Sequence, residues 1–563
     1  MSVDVASDVV LNISALSAGG ALVSWLFFHW YHVRGDYAAL AFSISPLMTY
    51  SAIRLLLSGA QTSPLLLTLL YVVVFAASAI LLSVCYRFSP LHPLASYPGP
   101  RSWWFTNLQL VRLSMSGRRH QRLHELHIQY GPIVRIGHNT LSINSLSTLN
   151  PLYGPALSME KSEMYTLPGH QDAMCLFYKQ DLHLHNERKR VWMKGLSAAA
   201  TKNYIPCMER RTWELASYIE RRQAESKEGA ASLSEYFSHW AYDLMGDIMY
   251  GGCNDYALMV KGDSERLVLT GKEGMAAIDC FGQAPWLMDI IWHVPASEAM
   301  VKYSAISAAM MHKRIKANDA TSMRDLSSYL LEESPSGQTI PLPDLELEAV
   351  NALFGGGDTI AGTLSMVFYY LLSHPQYYKQ LYDVLHAEFP DPMEHLEGSR
   401  LAGIPLLGGV IDEALRLQTA FYFPRIVPLG GVTIDGSFIP EGTIVSVASY
   451  SQQIDPTNFY PDPLEFRPER WLPDGLGPDT KTERNALLSF STGQHVCVGK
   501  AFAYQQLQYV IARLVLSFDM AFPESFDKEA FCNGILHRRT VILEKPLLVR
   551  VTRRPGAEIP DLK

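Results

Sequence analysis

Cys497 lies in a stretch in which a single sulfur atom could hold a metal ion. Phe490, Gly493 and Gly499 surround it in the pattern F-x-x-G-x-x-x-C-x-G. Glycine adopts positive φ angles without a steric penalty, so this segment can turn tightly and direct backbone N–H groups at the sulfur. The alternative is a buried free cysteine, the usual state of a lone cysteine in a protein core. The spacing of the glycines favours the metal ligand.

A second candidate for chemistry is Asp358 beside Thr359, directly after the glycine triplet 355–357. A carboxylate next to a hydroxyl can relay protons through water and act as a general acid. The alternative is an ordinary pair of helical residues whose side chains bond to the nearby backbone.

These residues fall within a predicted long helix from Asp344 to Ser373, with Asp344 as its N-cap and His374-Pro375 after its end. Inside a helix each glycine costs about 0.8–1 kcal/mol relative to alanine, so the triplet needs a compensating role. We expect it, and Gly356 in particular, to let a flat cofactor approach the helix backbone.

The loop around Cys497 resembles the haem-binding loop of the cytochrome P450 family, and residues 355–359 are similar to that family's oxygen-binding stretch, [A/G]-G-x-[D/E]-T. The resemblance implies haem b ligated by the Cys497 thiolate, which pushes electron density onto iron and favours O–O cleavage. It places the other loop residues named above in the haem site. It also implies that Asp358 and Thr359 deliver the protons that O2 activation needs.

The predicted elements agree with that family's fold. Helical periodicity dominates from residue 101 onward, and the predicted strands are short. They are Ile133–Ile136, Thr140–Ile143, Val432–Ile434, Ile444–Ser446 and Leu547–Val551. We therefore expect a mostly helical α+β domain with the cytochrome P450 fold, preceded by transmembrane helices.

Glu413 and Arg416 form an E-x-x-R pair. Such pairs are common on helix surfaces and stabilise by about 0.2–0.5 kcal/mol. The same spacing recurs at Glu187/Arg190 and Glu397/Arg400. By resemblance, Arg470 completes a Glu413–Arg416–Arg470 cluster that holds the fold around the haem. We assign these three residues a structural role, and their burial would require mutual pairing.

The two propionates of a haem require cationic or hydrogen-bonding partners. By resemblance, the matching residues are His185, Lys189, Trp192, Arg425 and His495. Lys189 and His495 stand where arginine is more usual, and neither makes the bidentate contact of arginine, so looser propionate binding is expected. The alternative for the basic segment near Lys189 is a solvated helix face.

Composition limits the classes of function. A chain of 563 residues exceeds what one compact core usually holds, so a large domain with an appendage is expected. A net charge of -8 and the lack of a long basic run give no indication of nucleic-acid binding. Seven cysteines without a CxxC pair argue against a disulfide framework or a zinc site, and favour a reducing compartment.

Residues 1–89 are expected to form a membrane region with one to three transmembrane helices. Ser63 to Tyr86 is uncharged and long enough to cross a bilayer core of about 30 Å. Val9 to His32 and Tyr37 to Ser58 are weaker candidates. A cleaved signal peptide is the alternative for the first of these, although Asp4 and Asp8 replace its usual basic start.

Basic residues favour the cytosolic side of a membrane. With three spans, Arg34, Arg87 and Arg101 place the N-terminus in the lumen of the endoplasmic reticulum and the large domain in the cytosol, whereas Arg54 falls on the disfavoured side. A proline-rich hinge at residues 90–100 would then join the anchor to a catalytic domain at 101–563.

Electrons must come from a partner, because no G-x-G-x-x-G follows a predicted strand. We expect NADPH to supply them through NADPH–cytochrome P450 reductase. Candidate basic contacts for an acidic patch on that reductase are Arg188, Lys189, Arg190, Lys194, Lys202 and Lys500.

The substrate is expected to be a small lipophilic molecule that enters from the membrane. The resemblance places a variable substrate loop at Tyr165 to Phe177. That loop contributes Leu167, Gly169, His170, Met174, Leu176 and Phe177, and further lining is expected from Phe354, Gly355 and Phe421 to Phe423. No fixed charge for an acid or an amine is evident.

The preferred interpretation is a haem-thiolate monooxygenase that inserts one atom of O2 into its substrate. The N-terminus and the segment 89–94 look like those of basidiomycete fungal members, which suggests a terpenoid of secondary metabolism. The alternatives are a haem-thiolate isomerase or dehydratase, a non-catalytic haem-binding sensor or carrier, and a multipass receptor with a scaffolding domain. Asp358 and Thr359 favour the monooxygenase, since the isomerase chemistry needs no proton relay.

Overall fold

The computed structural model describes residues 2–56, 63–155, 157, 159–165, 175–253, 257–317, 323–332, 339–418 and 421–560. Its α-helices are α1 (Ser2–Trp30), α2 (Gly35–Leu56), α3 (Pro64–Phe88), α4 (Leu108–Met115), α5 (Arg119–Tyr130), α6 (Leu149–Tyr153), α7 (Leu182–Gly195), α8 (Ala198–Thr201), α9 (Ile205–Glu225), α10 (Leu233–Tyr250), α11 (Leu258–Lys261), α12 (Leu267–Phe281), α13 (Pro285–Ile291), α14 (Glu298–Ala317), α15 (Leu326–Leu330), α16 (Leu342–Leu353), α17 (Thr359–Ser373), α18 (Pro375–Glu388), α19 (Gly398–Ala402), α20 (Pro405–Gln418), α21 (Ser449–Gln453), α22 (Lys500–Ser517) and α23 (Lys528–Asn533).

The strands are short and belong to several small sheets. They are β1 (Ile133–Arg135), β2 (Thr140–Ile143), β3 (Ala231–Ser232), β4 (Arg425–Ile426), β5 (Val432–Ile434), β6 (Ser437–Ile439), β7 (Ile444–Val447), β8 (Phe459–Tyr460), β9 (Lys481–Thr482), β10 (Phe518–Ala521), β11 (Ile535–Arg538), β12 (Thr540–Leu543) and β13 (Leu548–Arg553). The largest sheet has the order β1-β2-β7-β4, and β11 pairs with β12 as an antiparallel hairpin. The mostly helical α+β architecture confirms the predicted fold class.

The predicted long helix exists, but it is not continuous. It begins at Leu342, where Pro341 occupies the N-cap position, so Asp344 lies in the first turn and is not the cap. Pro343 is the second residue of the helix and fits there because the first turn leaves its N–H groups unpaired in any case. A π-helical segment at Phe354–Asp358 separates α16 from α17, and it contains the three glycines. Such π-bulges are frequent at functional sites.

Helix α10 packs against α17 and the π segment in the centre of the large domain. Its side chains from Tyr236 to Tyr250 are buried on all faces, as expected for a helix surrounded by other helices. This packing fixes the position of the π segment.

Helices α1, α2 and α3 are each long and apolar enough to cross a membrane, at Ser7–Trp30, Gly35–Leu56 and Pro64–Phe88. The start of α2 lies against α13 of the large domain: the Gly35 N–H donates to Asp289 Oδ2 at 2.8 Å, and a side chain at position 35 would lie 1.9 Å from the Trp286 carbonyl oxygen. The α1–α2 connection therefore lies on the same side of the three helices as the large domain, as three crossings require.

Candidate active site

One internal cavity of about 310 Å³ lies between the π segment and the loop that carries Cys497. Cys497 and Thr359 both line it, from opposite elements, and the tip of the β11–β12 hairpin closes part of its wall. The two groups that the sequence selects for chemistry thus meet at one place.

The shape of the cysteine loop depends on one glycine. Gly493 has a φ of 68°, and a side chain there would lie 1.8 Å from the Tyr153 carbonyl oxygen, so only glycine fits. The Cys497 N–H donates to the Phe490 carbonyl oxygen at 2.9 Å, which closes the loop and turns the sulfur towards the cavity.

The sulfur environment fits a thiolate ligand. Burial by the surrounding protein raises the pKa of Cys497, and the Gly499 and Lys500 N–H groups and the Lys189 charge oppose this rise. The side chain is nevertheless accessible from the cavity. A metal ion at the sulfur would supply the missing stabilisation, because it deprotonates a coordinating thiol outright.

The three glycines of the triplet face different surroundings. A side chain at Gly356 would lie 2.4 Å from Met245 Sδ, and one at Gly357 would lie 2.9 Å from the Tyr242 ring, whereas one at Gly355 would meet no atom within 4 Å. The close approach at Gly356 is therefore to α10. Gly356 still borders the cavity, but Gly355 is the glycine that leaves space on the cavity side.

Asp358 and Thr359 point in different directions, because successive helical residues lie about 100° apart. The Thr359 hydroxyl donates to the Gly355 carbonyl oxygen at 2.6 Å and remains at the cavity wall. Asp358 is buried against α10, where the Tyr242 hydroxyl donates to Oδ1 at 3.1 Å and Oδ2 has no partner among the described residues. Burial raises the pKa of Asp358 to about 6, which suits a group that exchanges protons near neutral pH.

The raised pKa of Asp358 predicts a pH-dependent effect of Asp358→Asn. The folded state holds the proton more tightly than the unfolded chain, so the carboxyl's contribution to stability is present at low pH and is lost as pH rises through about 6. Asparagine does not ionise. We therefore compare the free energies of unfolding of the variant and of wild type at two pH values. From about pH 4 to pH 7.5, this difference should shift in favour of the variant by on the order of 2 kcal/mol. Urea unfolding at both pH values, with exposed Asp383→Asn as the control, measures this, and a pH-independent difference would contradict it.

A cationic cluster occupies one end of the cavity. His495 Nδ1 lies 3.4 Å from His185 Nε2, and Arg425 and Lys161 are buried close to them. Burial and these two cations lower the pKa of His185 to about 3 and lower that of His495 further. His495 Nε2 and Arg425 Nε have no hydrogen-bond partner among the described residues.

This cluster fits the propionates of a haem, because two negative charges would relieve the repulsion and satisfy the orphaned donors. His185, Arg425 and His495 are three of the five residues that the resemblance assigns to this role. Lys161 was missed, because a lone lysine in an irregular segment carries no recognisable signal; its amino group also donates to the Leu176 and Phe177 carbonyl oxygens at 2.9 and 2.8 Å.

Trp192 and Lys189 line the cavity, but their polar groups are engaged elsewhere. The Trp192 indole N–H donates to Glu348 Oε2 at 2.9 Å, and Lys189 Nζ donates to the Gln494 carbonyl oxygen at 2.7 Å. In this arrangement Trp192 contributes its ring to the cavity, and its N–H does not face a propionate. Lys189 supports the cysteine loop.

Glu413, Arg416 and Arg470 form a fully buried cluster. Arg416 binds both oxygens of Glu413 at 2.7 Å, and Arg470 Nε donates to Glu413 Oε1 at 3.1 Å. The Trp471 indole N–H and the Arg467 backbone N–H complete the shell of the carboxylate at 2.9 and 3.0 Å. The structure thus brings together the three residues that the sequence grouped.

The substrate side of the cavity is lined mainly by apolar groups, among them Leu176, Phe177, Phe354, Phe421 and Phe423. Of the predicted substrate loop, Leu167, Gly169, His170 and Met174 lie outside the described residues. The expectation of no fixed charge is wrong, because Arg539, at the tip of the β11–β12 hairpin, also lines the cavity. The only sequence signal for it is a pair of arginines between two apolar strands.

The chain matches the family model for Cytochrome P450 over residues 97–547. Cytochrome P450 67 of Uromyces fabae is 29% identical, covering 82% of this chain and 86% of that protein. Cytochrome P450 monooxygenase notG' of Aspergillus versicolor is 28% identical, covering 82% and 83%. Cytochrome P450 monooxygenase poxM of Penicillium oxalicum is 27% identical, covering 76% and 84%. The cavity, its thiol and its cationic end agree with these similarities, and the chain belongs to the cytochrome P450 family.

Proposed function

We propose that this cytochrome P450 monooxygenase oxidises a lipophilic molecule at the endoplasmic reticulum membrane, with its catalytic domain in the cytosol and electrons from NADPH. The observation that carries the proposal is the cavity that places the Cys497 sulfur opposite the Thr359 hydroxyl, with a propionate-binding cluster at one end. A haem-thiolate bound there supplies the electron density that favours O–O cleavage.

The protein's own residues provide the proton supply. Thr359 can donate a hydrogen bond into the cavity when it releases the Gly355 carbonyl oxygen, and Asp358 holds an exchangeable proton beside Tyr242. Asp358 ends the π segment and Thr359 begins α17, so the helical backbone holds the two residues next to each other.

A partner reductase fits the exposed basic residues Arg190, Lys194, Lys202 and Lys500. Arg188 was among the predicted contacts, but it turns inward and pairs with Asp344 at 2.7 Å and Glu348 at 3.2 Å, so it is removed from that set. Lys189 is half-buried and serves the cysteine loop. Long-range attraction from the remaining charges would speed association with an acidic flavoprotein.

A fungal terpenoid is the substrate class that we favour. Support comes from the largely apolar cavity wall, from three helices able to hold the enzyme at a membrane, and from the fungal origin of the similar proteins. A lipophilic molecule can reach such a site from the bilayer.

The experiment that tests the proposal uses microsomes containing the full chain and an NADPH-dependent reductase, a panel of terpenoids and isotopically labelled O2. We expect a product that carries one labelled oxygen atom and appears only with NADPH. A product without labelled oxygen would indicate an isomerase or dehydratase instead. Normal haem spectra without any turnover would indicate a sensor.

In the same assay, Thr359→Ala should separate NADPH oxidation from product formation. Loss of the hydroxyl at the cavity wall removes a proton donor, so haem content stays normal while most of the electrons from NADPH reduce O2 to hydrogen peroxide and form no product. Ser365→Ala is the matched control, because Ser365 lies on the same helix and bonds to the Ala361 carbonyl oxygen. Unchanged coupling in Thr359→Ala would contradict the proton-relay role.

A further inference from the structure

Arg539 occupies an unusual position at the tip of the β11–β12 hairpin. Arg538 pairs with Thr540, so Arg539 alone forms the tip, with a φ of 63°. This left-handed conformation is unfavourable for a residue with a side chain. The hairpin packs on α17, where a side chain at Gly362 would lie 3.4 Å from Val541 Cβ. The tip is therefore held firmly at the cavity.

The two neighbouring arginines point in opposite directions. Arg538 donates to the Met115 carbonyl oxygen outside the cavity. Arg539 lies over two aromatic rings of the cavity wall, with its guanidinium carbon 5.4 Å from the Tyr165 centroid and 4.9 Å from the Phe177 centroid. These contacts position the cation without satisfying its N–H groups.

Among the described residues, no carboxylate pairs with the guanidinium of Arg539. Its Nη1 and Nη2 are both shielded from solvent, and neither has a hydrogen-bond partner in the described part of the chain. An unpaired buried charge costs several kcal/mol, so a site of this kind is completed by an anion. A guanidinium binds a carboxylate through two parallel hydrogen bonds, which a neutral ester cannot reproduce.

The cations that lower the pKa values of His185 and His495 are Lys161, Lys189 and Arg425, and Arg539 is not among them. The pKa of Lys161 is in turn lowered more by Arg425 than by Arg539. Arg539 shares the Tyr165 and Phe177 rings with Lys161, whose Nζ lies 5.5 and 5.8 Å from their centroids, so it differs from that group by its element and not by distance. It belongs to the hairpin, whereas His495 belongs to the cysteine loop.

We propose that Arg539 binds a carboxylate of the substrate, so that the enzyme selects lipophilic acids over their neutral derivatives; this inference rests on the proposed monooxygenase function. The apolar wall would hold the hydrocarbon body, and the arginine would fix one end. A fixed end presents one part of the hydrocarbon to the reacting centre, which determines the position of oxidation.

The test uses the full-length, haem-loaded protein in detergent and two acid–ester pairs, farnesoic acid with methyl farnesoate and palmitic acid with methyl palmitate. Dissociation constants come from the Soret shift at about pH 7.5. In wild type, we expect at least one acid to bind about tenfold more tightly than its ester. Arg539→Gln should reduce the ratio to about one, Arg539→Lys should retain part of it, and the outward-facing Arg538→Gln should leave it unchanged.

Several results would overturn the inference. These are equal binding of acid and ester by wild type, no binding of any of the four probes, and a preserved preference in Arg539→Gln. If Arg539→Gln keeps the acid preference but loses haem or shifts its reduction potential, Arg539 serves a propionate instead. Loss of the thiolate spectrum in wild type would instead refute the proposed function, independently of the acid–ester ratio.

Discussion

Replacing Cys497 with alanine is expected to abolish the spectral signature of thiolate-ligated haem together with all measurable turnover. Among the described residues, Cys497 is the only cysteine that lines the cavity, and the Gly499 and Lys500 N–H groups are directed at its sulfur. Alanine keeps the loop backbone but removes the atom that binds iron. No other described cysteine lines this cavity, so none can replace it.

The measurement is the Soret band of the dithionite-reduced protein with carbon monoxide, recorded on microsomes that contain the full chain. Wild type should show the strongly red-shifted band of a thiolate complex, and Cys497→Ala should lack it. Cys532→Ala is the control, because Cys532 is exposed and contacts only the Tyr369 hydroxyl at 2.8 Å among the described side chains. An unchanged red-shifted band in Cys497→Ala would disprove the ligand assignment, and a band typical of histidine ligation in wild type would mean that the thiolate is protonated or displaced.

Local motifs account for the part of the site that sequence reasoning could locate. The cysteine loop needs a glycine at 493 and a sulfur four residues later, and both requirements appear within one short stretch. The three helices that are long and apolar enough to cross a membrane could also be predicted, since length and hydropathy alone define them. The five predicted strands match β1, β2, β5, β7 and β13 to within two residues at each end, because apolar β-branched residues cluster there, whereas the other eight described strands were not predicted.

The remaining features depend on contacts between distant parts of the chain. Asp358 accepts a hydrogen bond from Tyr242 on α10, and Trp192 on α7 donates one to Glu348 on α16. No spacing rule connects such residues. Likewise, which of two adjacent arginines faces the cavity is decided by a positive φ at the hairpin tip, and Arg539 became visible only in the folded chain.

The same limit explains why Gly356 was assigned to the cofactor. A glycine triplet in a helix signals a close approach, but the sequence does not reveal which neighbour approaches. In the structure the close neighbour of Gly356 is Met245, although Gly355 and Gly356 both border the cavity. The π segment changes the angular positions of the glycines, and periodicity read as a uniform helix cannot capture that change.

Replacing Glu413 with alanine is expected to destabilise the fold more than any other single carboxylate substitution discussed above. Glu413, Arg416 and Arg470 have no exposed side-chain surface, so the change leaves two buried guanidinium groups without their counter-ion. Breaking a buried ion pair by removing one partner costs about 3–5 kcal/mol. We expect a loss of that size in the free energy of unfolding, measured in urea, and a small yield of haem-loaded protein.

The chain contains its own control for this prediction. Glu397 and Arg400 repeat the E-x-x-R spacing, but Glu397 is exposed and Arg400 pairs with Glu388 instead. Glu397→Ala should therefore change the free energy of unfolding by no more than about 0.5 kcal/mol. If both variants unfold at the same urea concentration, the buried cluster does not hold the fold together.

A milder variant keeps the test informative if Glu413→Ala does not fold at all. Trp471→Phe preserves the aromatic packing and removes only the indole N–H that donates to Glu413 Oε2 at 2.9 Å. Hydrogen bonds to charged groups contribute about 1.5–3 kcal/mol, so this variant should fold with an intermediate stability. We expect stability to decrease in the order wild type, Trp471→Phe, Glu413→Ala. That order would show that the carboxylate is the centre of the cluster, since losing one of its hydrogen bonds costs less than losing the carboxylate itself.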